Sequence, residues 1–177
     1  AIAMSFTLGF PCYAELPPIA IESGIQAYQV IPCDAQGLAE MNCAGRVEAV
    51  VSGAIEARVL SQKHKVKSWS VIGTVSNHLW TAHITGLPVG GPYAIEFRAK
   101  DDTGKTRAET AVPEVLVGDL WILAGQSNME GYADLDHAAE PSPQVHAFLM
   151  NDTWQIAKEP LHDLWSSCDH VHNSVSG

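Results

Sequence analysis

The chain has 177 residues, 46% of them hydrophobic and only 17% charged, which suits a folded globular protein and excludes general disorder. Its formal net charge of -10 is unevenly placed: residues 1–100 carry seven acids against seven bases, residues 101–177 thirteen against three. Such an acidic surface repels phosphate backbones and anionic lipids, so neither nucleic acid nor a membrane is an expected partner, and no apolar run reaches the roughly 18 residues that a membrane-spanning helix requires.

In chain order, residues 1–14 are apolar and end in Cys12-Tyr13-Ala14. They have the outline of a signal-peptide remnant, which would make the protein secreted or periplasmic, and they read equally as an ordinary hydrophobic strand. Cys33 and Cys43 flank a turn-like Asp34-Ala35-Gln36-Gly37, an arrangement that would let two short strands approach for a disulfide. From about residue 45 the pattern has period two. Val47, Ala49 and Val51, then Ile55, Ala57 and Val59, then Trp80, Ala82 and Ile84, and most clearly Tyr93, Ile95, Phe97 and Ala99 alternate with polar or small residues. Punctuation at Gly53, Gly73, Gly86-Leu87-Pro88 and Gly90-Gly91-Pro92 breaks this into short strands, and Asp101-Asp102-Thr103-Gly104-Lys105 suits the turn of a last hairpin. Residues 15–115 therefore read as a small all-β sandwich, with Trp69 and Trp80 in its core.

Beyond Pro113 the character changes. Leu120-Trp121-Ile122-Leu123-Ala124 is continuously apolar and calls for burial on both faces, as in a parallel strand of an α/β sheet. Residues 116–177 are accordingly expected to begin an α/β domain, and they are too few to complete one. Val145 to Met150 reads as a further strand followed by a turn at Asn151-Asp152-Thr153.

The chemistry concentrates at Gly125-Gln126-Ser127-Asn128. A nucleophilic serine must be exposed, near free backbone N–H donors and within reach of a base, and an apolar strand running into a Gly-led turn supplies the first two conditions. The same local pattern also fits a serine or asparagine capping a helix start.

Val117-Gly118-Asp119-Leu120-Trp121 followed by Gly125-Gln126-Ser127-Asn128-Met129-Glu130-Gly131 resembles the first signature block of the sialate O-acetylesterase group within the SGNH, or GDSL-like, hydrolases. Trp69, Leu87-Pro88 and Gly90-Gly91-Pro92-Tyr93 resemble the β-domain that precedes it, so the similarity runs over roughly residues 45–175. The resemblance implies a flavodoxin-like three-layer α/β SGNH-hydrolase domain, of which only the start is present. It further implies that Ser127 is the nucleophile of a serine esterase acting through an acyl-enzyme. The loop Gly125, Gln126, Ser127, Asn128 would then form the site, and the Ser127 N–H would be one oxyanion donor. A His base, an orienting Asp, and Gly and Asn oxyanion donors belong to later blocks of such proteins, and those blocks are not recognisable here. Gln126 stands where the better-known version of the motif has Asp, which removes a direct charge role at that position.

Asp169 and His172 spell the expected Asp-x-x-His pair but lie only 42 and 45 residues after Ser127, too soon for a complete sheet to intervene. The stretch from Trp154 to His172 instead resembles an excursion that shapes the pocket mouth, with Trp154, His162 and Trp165 as candidate substrate contacts. Trp121 in its apolar run reads more simply as core, and Trp154 and Trp165 read either as core or as sugar-stacking rings. His137, His146, His162, His170 and His172 show no recurrent ligand spacing, so no metal and no cofactor is expected. Two functions remain: a carbohydrate O-acetylesterase acting on sialic acid or another acetylated sugar, or a noncatalytic carbohydrate-binding or scaffold protein with a remnant serine block.

Overall fold

Residues 16–61, 65–124 and 138–161 are described in a computed structural model, and all of their regular structure is strand. In chain order the strands are β1 (Ala20–Ser23), β2 (Val30–Pro32), β3 (Leu38–Arg46), β4 (Ser52–Ser61), β5 (Lys65–Ser76), β6 (Leu79–Pro88), β7 (Gly90–Asp101), β8 (Thr106–Gly118), β9 (His146–Phe148) and β10 (Trp154–Ile156). The first eight make one hydrogen-bonded sheet in the order β1-β3-β6-β5-β4-β7-β8-β2. Every neighbouring pair is antiparallel except β2 and β8, and β9 with β10 forms a separate antiparallel ribbon.

The period-two pattern sets which face is buried. Ile55, Ala57 and Val59 on β4, Trp80, Ala82 and Ile84 on β6, and Tyr93, Ile95, Phe97 and Ala99 on β7 all point into the core. The alternation expected at Val47, Ala49 and Val51 is not a strand. Val47 and Val50 are the buried pair there, because the segment is a turn closed by Val50 N–H on the Val47 carbonyl at 3.3 Å. The Asp101–Lys105 hairpin forms as expected: Asp101 Oδ1 accepts the N–H groups of Thr103 and Lys105 at 2.9 and 3.1 Å, and Gly104 takes the left-handed φ of 82° that the turn requires.

The sheet does not divide into two facing layers as in the expected sandwich; it curls into a half-barrel. Trp80 and Phe97 show this directly. Their strands β6 and β7 are three positions apart in the sheet, about 14 Å if it were flat, yet the ring centroids lie 6.0 Å apart. Twist and coiling bring one inner face onto itself, so a single sheet builds the closed core that a sandwich makes with two. Gly45 lets the edge strand β1 lie close against β3, since a Cβ there would fall 2.0 Å from the Ala20 carbonyl oxygen, which also accepts the Trp80 indole N–H at 3.0 Å.

Trp69, expected in the core, is half-buried on the outer face, where the guanidinium groups of Arg58 and Arg98 lie 4.9 and 4.2 Å from its ring. Those cations are tied in turn to Glu96 and Glu56, each at 2.6 Å, and Lys100 adds a 3.0 Å contact to Glu56. Period two could not place Trp69, because bulges interrupt the β4–β5 register around Ala57–Leu60.

Further expectations are corrected. The three-layer α/β SGNH fold is not seen among the described residues: they contain no helix, and Leu120–Ala124 is not a strand. Trp121 and Ile122 are 83% and 93% exposed, so Trp121 is not core either. An apolar run becomes a doubly buried strand only when strands flank it and layers cover it, and the described residues supply neither. Cys33 and Cys43 are free thiols. The turn between them closes with Asp34 N–H on the Leu38 carbonyl at 2.8 Å, which leaves Cys43 five residues, about 16 Å, farther along β3.

Candidate active site

Of the residues singled out from sequence, Gly125, Gln126, Ser127, Asn128, His162, Trp165, Asp169 and His172 lie outside the described residues, and Trp154 lies within them. The two segments that lead into and out of the Ser127 motif are also described, and both are anchored at one corner of the sheet.

On the incoming side, β8 carries the chain to Gly118. Val117 stands opposite Gly90 of β7 on one flank and Ile31 of β2 on the other, and the Gly118 carbonyl accepts Cys33 N–H at 3.3 Å. On the outgoing side, the Gln144 side-chain amide donates to the Gly91 carbonyl at 3.1 Å. Gly90 and Gly91 have φ of 129° and 119°, and a Cβ on Gly91 would come within 2.7 Å of the Val115 carbonyl oxygen. Glycine is what allows the β6–β7 turn to press against β8, and the same turn then holds Gln144.

The β9–β10 ribbon docks beside this corner. His146 Nδ1 lies 2.6 Å from the Tyr28 carbonyl oxygen; since a carbonyl only accepts, Nδ1 carries the proton, and Nε2 is buried with no hydrogen-bond partner among the described residues. The His146 ring meets the Tyr28 ring edge-on at 5.6 Å. Tyr28, with a left-handed φ of 64°, donates its own N–H to the Pro113 carbonyl, which ties the ribbon through one residue to the bulged stretch of β8. The ribbon strand and turn expected from Val145 to Thr153 are present, and Trp154 packs on Phe148 with centroids 5.3 Å apart. His146 is thus a packing residue, and the described residues contain no group of three His, Cys, Asp or Glu that could hold a metal ion.

Beside Trp154 a cleft of about 180 Å³ opens, lined by Glu22, Ser23, Ile25, Gln26 and Gln29 from the β1–β2 region. Nothing in the sequence marks these residues. They form no periodic pattern or motif, and only the folded chain brings them to Trp154. Cys43 is no nucleophile, because burial pushes its thiol up to about 11.

With this geometry in place, the comparison with known families is specific. Residues 117–176, which begin on the last residues of β8 and include the Ser127 motif and the ribbon, match a carbohydrate-esterase family. That family is described as carbohydrate esterase, sialic acid-specific acetylesterase, and over this segment the likeness to the sialate O-acetylesterases holds. No curated protein matches the chain.

Proposed function

We propose that the protein is a serine carbohydrate esterase that removes O-acetyl groups from sialic acid or another acetylated sugar. The observation that carries the reading is the family match over residues 117–176, which spans Gly125-Gln126-Ser127-Asn128. The anchoring of both flanking segments to the Gly90–Gly91 corner supports it, since a nucleophile needs a positioned loop.

In this reading Ser127 attacks the acetyl carbonyl and its own N–H stabilises the oxyanion. A histidine takes the serine proton and returns it to the departing sugar hydroxyl, and water then releases acetate from the acyl-enzyme. The base is not assigned to His172, whose separation from Ser127 is short for the role. Residues 15–115 act as an accessory region and 116–177 as the esterase segment. The apolar residues 1–14 support export to the periplasm or beyond the cell.

Acetate release from O-acetylated sugars by the protein and by Ser127→Ala tests the proposal. The expected loss is on the order of 10⁴-fold or more. Equal rates in the two would remove Ser127 from the mechanism and favour the second reading, a noncatalytic carbohydrate-binding protein, for which the cleft beside Trp154 is the supporting observation.

A further inference from the structure

We infer that the cleft between the β1–β2 region and the β9–β10 ribbon is a binding subsite for one neutral pyranose ring of a glycan. This deepens the esterase reading, on which its link to catalysis rests. The cleft volume of about 180 Å³ lies below the roughly 300–1,000 Å³ typical of drug-sized ligands, so it suits a single ring and not an extended chain. Trp154 supplies an aromatic wall, and its ring packs on Phe148 with centroids 5.3 Å apart. A pyranose presents one face of C–H groups and a rim of hydroxyls, and an aromatic wall edged by polar groups is the complementary surface.

The polar groups have the right mixture. Gln29 Oε1 already accepts the Gln26 N–H at 2.9 Å, which orients the side chain and leaves its amide N–H groups as donors. Ser23 both donates and accepts, and the Glu22 carboxylate accepts. Sugar hydroxyls need both kinds of partner.

The charge selects among sugars. Glu22 is the one ionised group among the described lining residues, and no lysine or arginine joins it. A sialic acid carboxylate placed there would meet a like charge with no cation to offset it, whereas a neutral hexose would not. The cleft therefore takes a neutral ring. It also accounts for the β-sheet region in an esterase: the Trp154 wall belongs to the family-matched segment, the polar wall belongs to the first thirty residues, and the subsite exists only when the two pack.

The test is saturation-transfer NMR on the full chain carrying Ser127→Ala, with methyl glycosides of glucose and galactose as neutral probes and the methyl glycoside of N-acetylneuraminic acid as the anionic one. The neutral glycosides should bind in preference, and adding Trp154→Ala should weaken them about tenfold, the worth of a stacked aromatic contact. Glu22→Gln removes the like charge and should raise affinity for the anionic glycoside, narrowing the preference for the neutral ones. No binding of neutral glycosides, unchanged binding in Trp154→Ala, preference for the anionic glycoside, or indifference to Glu22→Gln overturns the subsite. Acetate release separates the two proposals: hydrolysis without neutral-sugar binding refutes the cleft alone, and Trp154-dependent binding with equal acetate release in Ser127→Ala refutes the esterase alone.

Discussion

The curl of the sheet makes Trp80 and Phe97 energetic partners, and a double-mutant cycle between Trp80→Leu and Phe97→Leu measures this. Both side chains are fully buried, at 1% and 0% exposure. Phe97→Leu removes about three carbons from the core, on the order of 2 kcal/mol at about 0.8 kcal/mol per buried carbon. Trp80→Leu loses more, because the Ala20 carbonyl also forfeits the indole N–H, a further 1 kcal/mol or so. The informative quantity is the coupling. Rings 6.0 Å apart with planes inclined by 43° should give about 0.5–1.5 kcal/mol beyond additivity, read from urea unfolding of the four proteins with a shared m-value. In a flat sheet the two strands would be about 14 Å apart and the coupling would vanish. Additivity within about 0.3 kcal/mol would therefore refute the half-barrel.

Other outcomes follow from the same geometry. Gly45→Ala must displace β1, because the new Cβ meets backbone and not a flexible side chain; a loss of about 2 kcal/mol or more and faster exchange of the Trp80 indole proton are expected, by denaturation and hydrogen exchange. Burial pushes the Glu56 carboxyl up, but the hydrogen bonds and charges of Lys100 and Arg98 outweigh it and hold it below the ordinary carboxylate value. A depressed folded pKa adds stability above the unfolded value near about 4.3 and loses it as pH falls through the folded value, so Glu56→Gln should flatten the stability–pH curve below about pH 4.5 in thermal melts. The Cys43 thiol, raised to about 11, should resist alkylation at neutral pH until the protein is unfolded, as mass spectrometry of labelled peptides can show.

Much of the β region was legible from residue order because its physics is local. A strand buried on one face must alternate, and Tyr93 to Ala99 do so; a tight hairpin needs Asp and Gly where Asp101 and Gly104 stand. The stretch Gly125-Gln126-Ser127-Asn128 stands out for a different reason: its resemblance lies in the order of its letters, and it falls within residues 117–176, which match the carbohydrate-esterase family.

Tertiary structure decided everything that depends on what stands opposite a residue. Leu120–Leu123 carries the composition of a doubly buried strand, but burial requires neighbours, and the run is exposed among the described residues. Trp69 and Trp80 are the same residue type in similar strands; one lies on the outer face between two arginines and the other in the core, because register and bulges, not composition, choose the face. The cleft joining Gln29 to Trp154 is written nowhere in the chain's order. It arises because Tyr28 and the Gly90–Gly91 turn hold the ribbon against the sheet, and contacts between residues so distant in sequence are a property of the packed fold alone.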